Sequence, residues 1–323
     1  MTRFGYTMMC EQAPPDQLVR DLQNAEAAGF DFSVISDHYQ PWLAEQGHSG
    51  YAWSILGAAA QATSTIGLMT YVTCPTVRYH PAVVAQKAAT MGILSGNRFR
   101  LGLGAGENLN EHVVGQRWPA VGVRHEMLSE AVDVIGALFD ADDGRVNYRG
   151  RHFDVEQAQL WDRPSERVPV GIAVSGKSSC ELAGHKADVM IAVEPKSELV
   201  EMFEAAGGAG KPKVGQVALA YDRDRETAVQ RAHEQFRWFG LGWKVNADLP
   251  NPEAFDSATQ FVSPDDVAGA LGCGPDVDEH VEKIKPFIDA GFDEVALVQI
   301  GADHQDAFTT WAQNELLPAL RSL

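Results

Sequence analysis

Short apolar runs, typical of buried strands, alternate with longer helical patterns along the chain, and this alternation constrains the fold more than any other feature. Eight runs have strand character, and nearly every one precedes a helical pattern; they span 4–9, 32–36, 65–73, 98–104, 168–174, 187–193, 216–221 and 294–300. Strict alternation at this count predicts an α/β protein with a single (β/α)8 barrel over residues 1–323. The main alternative is a doubly wound sheet, which calls for a Gly-x-Gly-x-x-Gly turn that the first strand lacks.

The helical patterns have ordinary start and stop signals. They span 16–29, 82–94, 124–139, 226–239, 277–290 and 304–323, with Gly29 as a C-cap of the first and Pro81 at the start of the second. Two segments depart from the alternation. Residues 143–155 predict a small hairpin. Residues 241–276 are punctuated by Gly and Pro, which predicts an irregular insertion or lid within the barrel.

The charge balance limits the partners. Lys and Arg number 26 against 44 Asp and Glu, a formal net charge of −18. A chain this acidic repels nucleic-acid backbones, which favours a small-molecule ligand. The sequence contains neither eighteen consecutive apolar residues nor an N-terminal apolar signal, so we expect no membrane span and a cytoplasmic location. The four widely spaced cysteines are expected to be reduced thiols.

Polar side chains follow several predicted strands, and barrel enzymes hold their catalytic groups at those strand ends. The candidates are Glu11, Asp37, His38, Trp42, Thr70, Tyr71, Thr73, Gly106, Glu107, Ser175, Lys177, Glu194 and Lys196. With an ordinary pKa of about 6.5, His38 accepts a proton at neutral pH. Glu107, on a glycine-flanked turn, acts as an acid if it is desolvated. The alternative roles are structural, namely loop hydrogen bonding, helix capping and, for Trp42, packing.

The run Ser175-Gly176-Lys177 precedes a helical pattern. Free N–H groups at a helix start, with one lysine, predict a phosphate site, whereas the alternative is an ordinary N-cap serine. The glycine-rich run 102–107 lacks a Walker lysine and is a weak nucleotide signal. Metal-ligand spacing of the HxH or HExxH kind is missing, as is the GxSxG of serine hydrolases, so we expect no metal site.

Three motifs together carry a family resemblance: ISDHYQPW (35–42), CPTVRYHPAVVAQKAATMG (74–92) and GLGAGENLNEH (102–112). Two further stretches, GIAVSGKSS (171–179) and EPKSEL (194–199), show a weaker similarity. The chain resembles the luciferase-like superfamily of flavin and deazaflavin oxidoreductases. Within it, the chain is similar to the glucose-6-phosphate dehydrogenase group that uses coenzyme F-420, an 8-hydroxy-5-deazaflavin. The resemblance implies a (β/α)8 barrel with insertions, usually a homodimer, that binds the deazaflavin at its C-terminal mouth.

The resemblance also implies roles for individual residues. His38 is the implied general base for the substrate hydroxyl, Glu107 the acid beside the ring, and Trp42 a packing partner at the reacting centre. The implied cofactor contacts are Asp37, Thr70, Tyr71, Val72, Thr73, Gly106, Glu107 and Asn110, with Ser175, Gly176 and Lys177 at the phosphate. Tyr71–Val72 falls where the family has a non-proline cis peptide. Glu11, Trp42 and Lys196 are the implied substrate contacts.

The expected reaction is hydride transfer between coenzyme F-420 and the carbinol or carbonyl carbon of an alcohol or sugar. Gly269 falls where the sugar-phosphate enzymes carry a lysine, so an alcohol or a related sugar is expected in place of glucose 6-phosphate. Three alternatives stay open: an FMN-dependent luciferase-like monooxygenase or reductase, a non-catalytic deazaflavin carrier, and a metal-dependent barrel hydrolase.

Overall fold

Eight parallel strands close into a barrel in the computed structural model, which describes residues 2–142 and 144–323. In chain order the strands are β1 (Arg3–Met8), β2 (Phe32–Ile35), β3 (Gly67–Thr70), β4 (Phe99–Leu103), β5 (Val146–Arg149), β6 (Asp154–Ala158), β7 (Val170–Ala173), β8 (Val189–Ala192), β9 (Lys213–Ala220), β10 (Gly272–Cys273) and β11 (Glu294–Gln299). The ring runs β1-β2-β3-β4-β7-β8-β9-β11 and closes because β11 pairs with β1. The predicted (β/α)8 barrel is therefore confirmed, and each predicted strand overlaps one member of the ring.

Helices cover the outside of the barrel and its C-terminal mouth. They are α1 (Pro15–Ala28), α2 (Ala52–Ala62), α3 (Pro81–Leu94), α4 (Asn108–Glu111), α5 (Val121–Phe139), α6 (Lys177–Lys186), α7 (Ser197–Phe203), α8 (Arg225–Phe236), α9 (Trp243–Asn246), α10 (Pro252–Ala258), α11 (Pro264–Ala270), α12 (Val277–Asp289), α13 (Gln305–Trp311) and α14 (Leu317–Arg321). Gly29 caps α1 in the left-handed region, and Pro81 begins α3, as predicted. In the part of the chain that the structure describes, no helix is long and apolar enough to cross a membrane.

The strands are buried on both faces, which explains why their sequences are almost continuously apolar. Phe32 and Val34 of β2 belong to a cluster with Met69, Val189, Ile191, Val214 and Ala296. The neighbouring Ile35 belongs to the main cluster, which includes residues of the surrounding helices. Because side chains of a strand alternate between its two faces, one apolar run supplies both layers.

Segment 241–276 differs from the irregular insertion expected from its glycines and prolines. It holds α9, α10, α11 and the short β10, which pairs with the end of β9. Pro252 and Pro264 are the first residues of their helices, each after a residue whose side chain caps the helix N-terminus. The prolines therefore mark helix starts, where the missing N–H costs nothing. Buried residues of this segment pack on the barrel mouth, among them Phe255, Val267 and Leu271.

Three further predictions concern the hairpin and two of the helices. β5 and β6 form the predicted antiparallel hairpin, while Asp143, at the edge of the predicted range, lies outside the described residues. The helix predicted over 226–239 ends at Phe236 and continues as a 3-10 turn. The helix predicted over 304–323 is divided by a π-helical turn at 312–316 into α13 and α14.

Candidate active site

A cavity of about 350 Å³ lies at the C-terminal ends of the barrel strands. Its volume falls within the range of pockets that bind small molecules. Many of the residues singled out in the sequence line it together, namely Glu11, Asp37, His38, Trp42, Tyr71, Val72, Gly106, Glu107, Asn110, Ser175 and Glu194. Residues from distant positions meet here because parallel strands present their carboxyl ends to the same mouth.

The centre of the cavity is a row of three ionisable side chains. Glu11 Oε1 lies 2.6 Å from His38 Nδ1, and Glu107 Oε2 lies 3.2 Å from His38 Nε2. The three residues follow β1, β2 and β4. His38 is only 8% exposed and Glu11 is fully buried, so water does little to screen this charge row.

Hydrogen bonds hold both carboxylates in place. Ser36 Oγ donates to Glu11 Oε2 over 2.6 Å, and Asn110 Nδ2 donates to Glu107 Oε2 over 2.8 Å. The turn before Glu107 depends on Gly106, whose φ of 84° lies in the left-handed region. A Cβ there would also come within 2.5 Å of Cys74 Sγ, so glycine is required on both counts.

The charge row changes the acid–base character of His38. Burial alone lowers the pKa of an imidazole, but the carboxylates of Glu11 and Glu107 outweigh burial and raise the pKa of His38 to about 10. Burial alone would raise the pKa of Glu11, but the charge of His38 and the hydrogen bonds from His38 and Ser36 together outweigh burial and lower this pKa. The ordinary pKa expected for His38 from the sequence is therefore wrong, and the side chain is an imidazolium at neutral pH.

Replacing Glu11 with glutamine should move the titration of His38 to lower pH, because one of its two carboxylate partners is lost. In the wild type, the raised pKa means that ionisation of His38 stabilises the fold fully below pH 6.5, and that this contribution is lost as the pH rises through about 10. NMR titration of ¹⁵N-labelled histidine rings measures the midpoint. Glu198→Gln, an exposed change on α7, is the control. An unchanged midpoint in the Glu11 variant would contradict the assignment.

A second buried network lies beside the charge row. Asp37 Oδ2 accepts hydrogen bonds from Trp53 Nε1 (3.1 Å) and Thr73 Oγ1 (2.7 Å). Arg78 contacts Asp37 Oδ1 at 3.3 Å and Glu111 Oε1 at 3.4 Å. Burial raises the pKa of Glu111 to about 7 despite this arginine. The sequence analysis did not single out Arg78 or Glu111, although they lie within the motifs at 74–92 and 102–112 that carry the family resemblance.

An aromatic wall forms the side of the cavity next to His38. The Trp42 ring meets His38 edge-on at 4.9 Å and stacks on Trp238 at 4.1 Å, with an angle of 9° between the two planes. The lining also includes Phe236, Phe239 and Trp243. The sequence analysis singles out Trp42 but not the four aromatic residues of FRWFGLGW (236–243), although so many aromatic residues in one short run are themselves a signal.

Five predicted site residues lie outside the described lining: Thr70, Thr73, Gly176, Lys177 and Lys196. Thr70 exchanges hydrogen bonds with Gly102, and Lys196 is paired with Glu194 at 2.8 Å. Lys177 is 78% exposed and lies 3.8 Å from Glu181. These side chains therefore support neighbouring residues or lie at the rim.

At the predicted phosphate site, two of the backbone N–H groups expected to be free are already hydrogen-bonded within the protein. The backbone N–H groups of Ser175 and Gly176 both donate to Ser179 Oγ, which itself lines the cavity. The Tyr71–Val72 peptide is cis, as the resemblance implied. Across residues 2–142 and 144–323, no group of three His, Cys, Asp or Glu side chains is arranged to hold a metal ion.

Comparisons with known proteins show the family of the chain and support its fold. The family model for luciferase-like monooxygenases matches residues 1–294. A protein named F-420-dependent glucose-6-phosphate dehydrogenase from Nakamurella multipartita is 34% identical, with 99% of this chain and 97% of that protein aligned. A solved structure described as an F-420-dependent secondary alcohol dehydrogenase in complex with an F-420–acetone adduct superposes with a TM-score of 0.91 at 28% identity, covering 99% of each chain. The coenzyme F-420-dependent tetrahydromethanopterin reductase of Methanopyrus kandleri shares the fold, with a TM-score of 0.78 and 21% identity over 99% of both chains.

Proposed function

We propose, since the chain belongs to the luciferase-like monooxygenase family, that it is an oxidoreductase transferring a hydride between coenzyme F-420 and the carbinol or carbonyl carbon of an alcohol or related sugar. The row Glu11–His38–Glu107 beside the cavity carries this proposal, because it supplies a proton at a defined atom. Two similar proteins support the choice of coenzyme. One is the relative named F-420-dependent glucose-6-phosphate dehydrogenase, and the other is the solved F-420-dependent secondary alcohol dehydrogenase.

The cavity fits a flat, partly polar ring system. Its lining combines apolar side chains such as Ile191 and Val298 with backbone at Gly104–Gly106. Two polar atoms on lining residues, Trp238 Nε1 and Asn246 Oδ1, are buried with no hydrogen-bond partner among the described residues. Such atoms call for a ligand that carries both acceptors and donors. We expect Tyr71, Val72, Gly106 and Asn110 to hold the ring, Asp37 to support it, and Ser175 with Gly176 and Lys177 to meet the phosphate.

The chain's own chemistry is proton handling. The coenzyme, when bound, supplies or accepts the hydride. Glu11 holds His38 Nδ1 at 2.6 Å, whereas Glu107 lies 3.2 Å from Nε2, so Nε2 has the longer contact and is the atom that would exchange a proton with the substrate oxygen. In carbonyl reduction the protonated His38 donates that proton, and in alcohol oxidation the neutral ring accepts it. Glu107 would hold a proton on the side of the cavity where the coenzyme ring is proposed to bind, and Trp42, which contacts His38, would restrict the substrate beside it. Because the pKa of His38 is about 10, oxidation should accelerate with rising pH.

Titration with coenzyme F-420 and with FMN, followed by a turnover assay, tests the function. We expect binding of the deazaflavin and a change in its visible absorbance with alcohols or ketones. Binding of FMN alone would favour the monooxygenase or reductase alternative. Deazaflavin binding without turnover on any alcohol or carbonyl compound would indicate a carrier.

We propose that the protein, besides a small-molecule substrate, has a second copy of itself as partner. The exposed faces of α2 and α3 carry no charged residue, and they comprise Ser54, Ala58, Gln61, Val83, Gln86, Thr90, Ile93 and Leu94. The chain as a whole has a net charge of −18, so a surface of eight exposed residues without a charge stands out. Depletion of charged residues is typical of the core of a protein–protein interface. Sedimentation equilibrium should give a dimer for the wild type and a monomer for Ile93→Asp. Glu181→Asp, on exposed α6, should stay dimeric. A monomeric wild type would contradict the proposal.

A further inference from the structure

The described lining of the cavity contains five carboxyl side chains and neither lysine nor arginine. The acidic members are Glu11, Asp37, Glu107, Glu111 and Glu194. The cationic His38 lies between two of them, so its charge is already balanced. The other lining histidine, His125, has its pKa lowered by burial and by Arg124. An anionic substrate beside His38 would therefore meet carboxylates with neither lysine nor arginine from the described lining, which is unfavourable in a site that excludes water.

Three basic residues next to residues of the lining are paired with carboxylates of the protein. Lys196 Nζ lies 2.8 Å from Glu194, and Arg78 is held by Asp37 and Glu111. Arg237 pairs with Glu45 and Asp256. Phosphate recognition ordinarily uses charge-assisted hydrogen bonds from such side chains, and here their partners are protein carboxylates.

The structure places Gly269, where the sugar-phosphate enzymes carry a lysine, outside the described lining of the cavity. This residue lies on exposed α11, and its carbonyl accepts a hydrogen bond from Lys283 Nζ at 2.6 Å. A missing lysine at this position therefore says little about the cavity. The evidence against a phosphorylated substrate is the charge of the lining itself.

The surface that faces a substrate near His38 is apolar. Trp42, Trp238 and Trp243 belong to the lining, and Phe255 packs edge-on against Trp42 at 5.1 Å. Aromatic faces gain most from contact with apolar groups, and they also attract cations in preference to anions. Trp42 is packed on three sides, because it stacks on Trp238 and contacts both His38 and Phe255 edge-on.

We infer that the substrate is an uncharged alcohol–ketone pair whose substituents are apolar, and that the acidic lining with its aromatic wall rejects phosphorylated sugars and other anions. This inference rests on the proposed function. The secondary hydroxyl or carbonyl oxygen meets His38 Nε2, and its substituents pack on Trp42 and Trp238. Oxidation moves the carbinol hydride to the coenzyme and the hydroxyl proton to His38, and reduction reverses both transfers.

Two matched pairs of compounds test the charge discrimination. Methyl levulinate and levulinate share a ketone and a skeleton but differ by one negative charge, and glucose and glucose 6-phosphate differ by a phosphate. With reduced coenzyme F-420, we expect kcat/KM for methyl levulinate to exceed that for levulinate by at least about tenfold, which corresponds to about 1.4 kcal/mol. With oxidised coenzyme, glucose 6-phosphate should not be used faster than glucose. Preference for either anion would overturn the inference while leaving the oxidoreductase function intact.

A charge variant tests the cause. Glu194→Gln removes one lining carboxylate and releases Lys196, so the ratio for the two levulinates should fall at least about threefold, mainly through KM of the anion. Glu198→Gln, next to Lys196 in space but outside the described lining, should leave the ratio unchanged. An unaltered ratio in Glu194→Gln would overturn the role of the acidic lining.

A binding measurement separates failure of this inference from failure of the proposed function. Calorimetric titration of either ketone into the protein loaded with oxidised coenzyme needs no turnover, and it should show tighter binding of the ester. Equal or tighter binding of levulinate would overturn the inference even in an inactive protein. Lack of redox turnover with every compound, combined with selective binding of the ester, would overturn the proposed function alone.

Discussion

Replacing His38 with alanine is expected to lower kcat by about 10²–10⁴-fold, the usual contribution of a general acid or base. The variant loses the imidazole that Glu11 holds through Nδ1 and that lines the cavity. Carbonyl reduction should suffer most at neutral pH, where the wild-type side chain is an imidazolium ready to donate. Steady-state assays in both directions, from pH 6 to pH 10, measure the loss and its pH dependence.

The coenzyme affinity of this variant should change little, because we propose that the imidazole meets the substrate oxygen, whereas Tyr71, Val72, Gly106 and Asn110, proposed to hold the ring, follow β3 and β4. His185→Ala, an exposed histidine of α6, is the matched control and should retain wild-type turnover. Unchanged turnover in His38→Ala would remove this residue from the mechanism. A loss of coenzyme binding equal to the loss of turnover would instead make His38 a binding residue.

Replacing Arg78 with methionine is expected to lower the free energy of unfolding by about 3–5 kcal/mol, because removal of one member of a buried ion pair leaves uncompensated charge. The arginine side chain is 7% exposed and contacts carboxylates that are almost fully buried, Asp37 and Glu111. Urea unfolding at pH 8 measures the change. The loss should shrink at pH 5, because Glu111, whose pKa is about 7, can then protonate and needs no partner.

Arg151→Met is the matched control for this experiment. Its guanidinium is 74% exposed and pairs with Glu126 at 2.7 Å, so solvent screens the interaction. Its removal should change the free energy of unfolding by less than about 1 kcal/mol. A loss in Arg78→Met as small as that of the control would show that the network is not a source of stability.

The barrel could be predicted because its signal is local and repeated. Eight apolar runs, each followed by a helical period, require only the alternation of faces in a strand and the 3.6-residue turn of a helix. The same rule placed Glu11, His38 and Glu107 at one mouth, since strand ends meet there. The prediction of an irregular segment at 241–276 is wrong because Gly and Pro are ambiguous signals, and here Pro252 and Pro264 follow capping residues and begin helices.

The sequence by itself determined the fold class, the family resemblance and the three ionisable residues that meet at the mouth of the barrel. The tertiary structure alone decided that His38 is charged and that Arg78 is buried between two carboxylates. It also decided that the tryptophans line one side of the cavity, and that the described lining contains neither lysine nor arginine. The physical reason is how far apart in the chain the interacting residues lie. Strands and helices follow from neighbours in the chain, whereas a pKa and the charge of a cavity depend on distances between residues that are far apart in the chain.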